Sequence, residues 1–234
     1  NRGISYRHLG DFQKAIDDFT KAIELDPKSA GAYYDRGFAY KSLGKCRKGI
    51  QDYTKAIELK PDDADAYNDR GCLYARLGFH RRAIDDLTKA IELTPDYARA
   101  YNNRGVAYHD LREYQKAKED YTKAVWLNPE YVDAYYNRGA ANRMLCEYQK
   151  AIDDYTKAIE LKPDYARAYN SRGIAYHDLR KYQKANEDYT EAIALNSKYA
   201  DAYHNRGISY RNLGETKLAE KDRQKHKELT ASSE

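Results

Sequence analysis

Between residues 98 and 131 the apolar positions fall into two runs of helical spacing. Tyr101, Gly105, Tyr108 and Leu111 follow one another at steps of four, three and three, which places them on one face of a first helix. Tyr114, Ala117, Tyr121, Ala124 and Leu127 then recur at steps of three, four, three and three and define a second amphipathic helix. Leu127-Asn128-Pro129 ends it, because proline offers no N–H to the helical ladder and disfavours helix in the residue before it. Pro27, Pro61, Pro95 and Pro163 stand at the equivalent stops, usually followed by acidic residues suited to capping the next helix. The spacing predicts a helical hairpin with both apolar faces turned inward.

The pattern returns with a period of 34 residues. The tripeptide Asn103-Arg104-Gly105 has counterparts at Asn1-Arg2-Gly3, Asp35-Arg36-Gly37, Asp69-Arg70-Gly71, Asn137-Arg138-Gly139, Ser171-Arg172-Gly173 and Asn205-Arg206-Gly207. The chain is expected to form one all-α domain over residues 1–234, with about seven units over 1–29, 30–63, 64–97, 98–131, 132–165, 166–199 and 200–234. The absence of an initiator Met, and a start in mid-unit, imply a trimmed first helix and a larger parent protein. Residues 98–131 and 166–199 share about three quarters of their positions, a second periodicity that recent duplication explains.

Two conserved columns within the unit read as architecture. Gly105 and Ala117 lie equally far from the bend and should meet, letting the helix backbones approach, although glycine costs about 1 kcal/mol against alanine in a helix interior. Arg104, flanked by core positions, needs a partner, and Asp120 recurs once per unit on the second helix with Asp18, Asp52, Asp86, Asp154, Asp188 and Asp222. A hydrogen-bonded Arg–Asp pair would fix the register of each hairpin.

Composition narrows the chemistry. Charged residues make up 33% of the chain, yet the net charge is only +4, which argues against nucleic acid as the partner. Most of the 25 tyrosines sit in core columns rather than on a base-stacking surface; Tyr34 and Tyr136 fall instead on the opposite face of the first helix, where groove aromatics would sit. Cys46, Cys72 and Cys146 occupy three different columns and suggest free thiols in a reducing compartment, not disulfides or a zinc site. No apolar run is long enough to span a bilayer and no signal peptide opens the chain, so a cytoplasmic location without membrane contact is expected. No nucleophile motif, metal-ligand set or phosphate loop is present, and His109-Asp110 and His177-Asp178 are helix neighbours that point apart. The expectation is a protein that is not an enzyme and holds no cofactor or metal.

The unit length, the aromatic at Tyr101, and Gly105, Tyr108, Tyr114, Ala117, Tyr121, Ala124 and Pro129 together resemble the tetratricopeptide repeat family. Departures are few: Asn142 stands for the Tyr108-type aromatic, His80 and Cys46 for the Tyr114 type. The resemblance implies a right-handed α-solenoid of stacked hairpins whose first helices line a concave groove. In it, Asn1, Asp35, Asp69, Asn103, Asn137, Ser171 and Asn205 would form a ladder of short hydrogen-bonding side chains. Asn103, Asn137 and Asn205 look like the asparagine ladder that holds peptide backbone in O-linked N-acetylglucosamine transferases. Asp35 and Asp69 depart from it, since a carboxylate only accepts.

The chaperone-binding class of the family clamps a carboxylate with Lys and Asn, but where that Lys is expected stand Tyr34, Asn68, Asn102, Tyr136, Asn170 and His204. Lys41, Arg143 and Arg211 enter the groove with His109 and His177, and Arg99 and Arg167 alternate with Asp65, Asp133 and Asp201. The groove set is thus Asp35, Asn68, Asp69, Arg99, Asn102, Asn103, His109, Tyr136, Asn137, Arg143, Arg167, Asn170, His177 and Asn205. The expected function is binding of an extended segment or helix of a partner protein. The alternatives are a structural module that self-associates end to end through an uncapped first unit, and nucleic-acid binding. At the other end Arg223, His226 and Lys227 replace apolar columns and suggest a solvating cap, followed by a frayed tail from Thr230 to Glu234.

Overall fold

A computed structural model describes residues 2–231. Asn1, the first rung of the expected ladder, and Ser232, Ser233 and Glu234 of the expected tail lie outside the described residues. Fourteen helices are described, and no strand occurs among these residues. First helices of the hairpins are α1 (Arg2–His8), α3 (Ala30–Ser42), α5 (Ala64–Arg76), α7 (Ala98–Asp110), α9 (Val132–Met144), α11 (Ala166–Asp178) and α13 (Ala200–Asn212). Second helices are α2 (Phe12–Leu25), α4 (Cys46–Leu59), α6 (His80–Leu93), α8 (Tyr114–Leu127), α10 (Tyr148–Leu161), α12 (Tyr182–Leu195) and α14 (Thr216–Ala231). The chain divides into two compact units, Asn1–Leu127 and Asn128–Glu234.

In each unit a second helix packs both on its own first helix and on the first helix of the next hairpin. In the first unit Ala83, Ile84 and Leu87 of α6 form a core with Ala107 of α7. In the second, Ala151, Ile152 and Tyr155 of α10 do so with Ala175 of α11. Tyr53, Tyr121, Tyr155 and Tyr189 are the largest fully enclosed side chains, and these rings, not the alanines, fill the space left by glycine. A Cβ on Gly105 would lie 2.6 Å from the Tyr121 ring, and one on Gly173 2.6 Å from that of Tyr189. The expected close approach of glycine and the alanine column is present, with the Ala83 carbonyl oxygen 3.2 Å from a Cβ on Gly71, but the glycine also accommodates a side chain of the second helix, an aromatic ring at Gly37, Gly105, Gly139 and Gly173 and Leu87 at Gly71. Only in the last hairpin, at Gly207, is the alanine nearest, through the Ala219 carbonyl oxygen at 3.3 Å.

The caps also differ from expectation. Asp63 accepts from the Ala66 N–H and caps α5, but α7, α9, α11 and α13 start behind Tyr97, Tyr131, Tyr165 and Tyr199, which provide no side-chain cap. Asp26, Asn128 and Asn196, at the end of the preceding helix, instead accept from the N–H two residues on, the local turn that short polar side chains favour. Each hairpin bend places one residue at positive φ; Gly10, Gly44, Gly78 and Gly214 fill it in four hairpins, Arg112, Cys146 and Arg180 in three. Cys146 is exposed, unlike the buried Cys46, so it is no core filler. α14 runs to Ala231, and the Thr230 hydroxyl donates to the His226 carbonyl at 3.0 Å; Thr230 and Ala231 are helical, not frayed.

Candidate functional site

Arg104 and its counterparts prove to be structural. Arg104 Nε and Nη2 donate to Asp120 at 2.8 and 2.7 Å, and the same fork joins Arg36 to Asp52, Arg70 to Asp86, Arg138 to Asp154, Arg172 to Asp188 and Arg206 to Asp222. The hydrogen bond to Asp120 raises the Arg104 pKa further, while burial raises that of the Asp120 carboxyl itself. A third donor escaped the sequence reading: Arg36, Arg70 and Arg104 donate Nη1 to Thr20, Thr54 and Thr88 of the preceding second helix. Each of these three arginines thus holds two hairpins together, and all six are committed to a carboxylate.

The other face of the first helices carries a regular cross-hairpin network, in which each link spans 35 residues. Tyr34 donates to Asp69 at 3.2 Å, Asn103 Nδ2 donates to Asn68 Oδ1 at 2.9 Å, the Tyr136 and Ser171 hydroxyls bond at 3.2 Å, and Asn205 Nδ2 donates to Asn170 Oδ1 at 3.1 Å. Asn68, Asn102 and Asn170 are buried, as is Asp69; Asn68, Asp69 and Asn170 stand behind the surface as links, while Asn103, Asn137, Ser171 and Asn205 are half-buried. Tyr34 and Tyr136 are not free groove aromatics, because their rings pack on the core rings of Tyr53 and Tyr155 at 5.5 and 5.6 Å. Burial drives both Tyr34 and Tyr53 phenols well above the ordinary range.

The two carboxylates of the ladder are ion-paired across hairpins. Asp35 accepts from Arg7 at 2.5 Å and Asp69 from Lys41 at 3.0 Å, while the ring of Phe38 lies under both cations. The basic residue comes 28 positions before the acid. Where the ladder turns neutral, at Asn103, that position is Ala75. The 28-residue spacing from base to acid is the signal that could have identified Arg7 in advance, although it does not follow the ladder charge throughout, since Arg143 stands 28 positions before the neutral Ser171.

The remaining predicted residues separate into two local groups. In the first unit Arg99 contacts the Tyr97 hydroxyl at 2.5 Å and Asp65 at 3.4 Å, and His109 stacks against Tyr114. In the second, Arg167 lies over the Tyr136 ring, which also packs on Tyr165. Arg143 reaches Asp178 at 3.5 Å, and His177 stacks on Tyr182 and bonds Asn212 at 3.0 Å. Burial pushes the Tyr165 phenol up to about 12. Tyr97 and Tyr165, from the inter-hairpin turns, were missed because they precede the helices and belong to neither helical face. No group of three or more potential metal ligands occurs among the described residues, and no helix of these is long and apolar enough to cross a membrane.

Stacked helical hairpins tied by Arg–Asp–Thr bonds, with a polar network along the first helices, define an all-α helical repeat solenoid. The family comparison agrees: the tetratricopeptide repeat matches residues 98–131, 132–165, 166–199 and 188–221, and a related TPR repeat matches 3–44, 39–78 and 81–112. This chain belongs to the tetratricopeptide repeat family. Among solved structures it is similar to a MamA protein, at 30% identity and TM-score 0.65, covering 75% of this chain and 96% of that one. It is also similar to YrrB, described as a TPR protein with an unusual peptide-binding site, at 25% identity and TM-score 0.66, covering 80% and 96%. A tetratricopeptide repeat protein from Parabacteroides merdae ATCC 43184, at 21% identity and TM-score 0.75 over 97% and 90% of the two chains, shares the fold. No curated protein matches this sequence.

Proposed function

We propose that the first-helix face binds an extended segment or a helix of a partner protein, and that the chain acts as an interaction scaffold rather than as an enzyme. The observation that carries this reading is the fixed orientation of the ladder amides. Asn103 and Asn205 each donate Nδ2 to the buried asparagine of the preceding hairpin. The carbonyl oxygens of Asn103 and Asn205 are then turned to accept from a peptide N–H. A side chain already held by its neighbour loses little freedom on binding, so the amide geometry contributes affinity directly. Main-chain recognition of this kind suits an extended ligand, with side-chain choice left to Arg99, Arg143, Arg167 and the histidines. YrrB, with its own peptide-binding site, supports the reading by likeness.

The experiment is selection of peptides from a displayed random library on the full chain, followed by affinity measurement with Asn103→Ala, Asn205→Ala and the double variant. At least a tenfold loss for the double variant is expected. Undiminished affinity in a folded double variant would remove the ladder from the binding surface.

A further inference from the structure

Away from the first-helix face, a cavity of about 620 Å³ opens between α11, α12 and α13. Its wall includes Tyr169, Arg172, Asn186, Glu187, Glu191 and Tyr210. Two columns of the repeat change character there together. Asn186 occupies the column of Ile16, Ile50, Ile84, Lys118 and Ile152; unlike Lys118, which is only partly buried, it is enclosed. It is 8% exposed and its Oδ1 is enclosed without a hydrogen-bond partner. A buried amide oxygen left unpaired is destabilising, and an isoleucine would avoid the loss.

Glu191 occupies a column that holds Lys21, Lys55, Lys89, Lys123 and Lys157 in the five preceding hairpins. Those lysines follow Asp17, Gln51, Asp85, Glu119 and Asp153 by one helical turn, mostly the favourable acid-before-base order. In α12 the same turn brings Glu187 and Glu191 together, two like charges, and Ala194 replaces the glutamate that pairs with the lysine at Glu58, Glu92 and Glu160. Neither Glu187 nor Glu191 forms an ion pair among the described residues, and Glu215 adds a third unpaired carboxylate to the wall. The one cation there, Arg172, is committed to Asp188.

We propose that this cavity receives an arginine side chain of a partner protein. The guanidinium presents five donors in a plane, enough to bridge Glu187 and Glu191 and to reach the unpaired Asn186 amide oxygen. Tyrosine faces in this part of the chain already take guanidinium groups, since Arg172 lies 5.5 Å from the Tyr169 ring and Arg206 5.8 Å from that of Tyr210. The site is distinct from the groove ladder and stands or falls without it.

The test is a titration of the isotope-labelled full chain with N-acetyl-L-arginine amide, followed by amide resonances, with the neutral isostere N-acetyl-L-citrulline amide as control. Saturable shifts confined to the Asn186 side-chain amide and to residues around 187, 191 and 215 are expected in the millimolar range typical of one side chain. They should weaken at least tenfold in Glu191→Lys and with added salt, and be absent with the citrulline amide. Asn186→Ile should abolish the response in a chain that circular dichroism shows to be fully helical. Absence of a saturable response, equal shifts with the citrulline amide, or an unchanged response in Glu191→Lys overturns the proposal.

Discussion

Lys41 and Asp69 are joined across neighbouring hairpins by an ion pair of 3.0 Å in which the Asp69 side chain is only 5% exposed. Tyr34, Tyr53 and Asn68 donate to the same carboxylate. Asp69 is therefore a stitched junction and not a free acceptor. Lys41→Ala leaves a buried carboxylate without its counter-charge, and a loss of roughly 3 kcal/mol is expected. Lys41→Ala with Asp69→Asn reproduces the neutral pair found at Ala75 and Asn103 and should restore most of it. Urea midpoints of the single and double variants measure the difference.

The Arg104–Asp120 fork predicts strong coupling. A double-mutant cycle to Ala at both positions should give an interaction energy of about 2 kcal/mol, within the range for contacting charged residues. A value near zero would contradict the geometry. Thr88→Ala, which removes only the neutral third partner, should cost about 1 kcal/mol.

Glycine tolerance should differ between hairpins. Gly105→Ala forces a methyl group to within 2.6 Å of the Tyr121 ring, and overpacking of this kind costs about 1–3 kcal/mol. Gly207→Ala meets nothing closer than 3.3 Å, and the helix propensity gained, about 1 kcal/mol, should make it neutral or stabilising. Thermal midpoints of the two variants provide the check.

The positive-φ bends offer a stabilising change. Arg112, Cys146 and Arg180 adopt φ of 61°, 61° and 59°, a conformation that costs an L residue roughly 1–2 kcal/mol. Arg112→Gly should raise stability by about 0.5–1 kcal/mol after the greater unfolded-state freedom of glycine is subtracted, as read from the urea midpoint.

Alkaline pH should unfold the array. Burial raises the phenols of Tyr34, Tyr53, Tyr121, Tyr155, Tyr165 and Tyr189. A folded pKa above the unfolded one means that the unfolded chain releases these protons first. The associated stability is complete below about pH 10, the unfolded tyrosine value, and is lost as pH rises toward the folded values, about 12 for Tyr165. Each such tyrosine contributes a slope of about 1.4 kcal/mol per pH unit. Denaturant midpoints between pH 9 and 11, with tyrosinate absorbance followed in parallel, should show a steep fall with delayed ionisation.

The sequence by itself determined the local architecture. Helix starts at Ala30, Ala64, Ala98, Val132, Ala166 and Ala200 coincide with the repeat boundaries, because the 3.6-residue period and the proline stops act over a few residues of chain. The Arg104–Asp120 pair was legible for a similar reason: two helices joined by a tight bend bring residues at fixed offsets together.

Only the tertiary structure decided what faces the groove. The links from Asn68 to Asn103, from Asn170 to Asn205 and from Lys41 to Asp69 cross from one hairpin to the next. They depend on how consecutive hairpins stack, which brings residues 28 and 35 positions apart together. No helical wheel contains that arrangement. Asn68 and Asn170, polar and at groove spacing, therefore turned out to be buried links, while the orphaned amide of Asn186 became visible only once its cavity was formed.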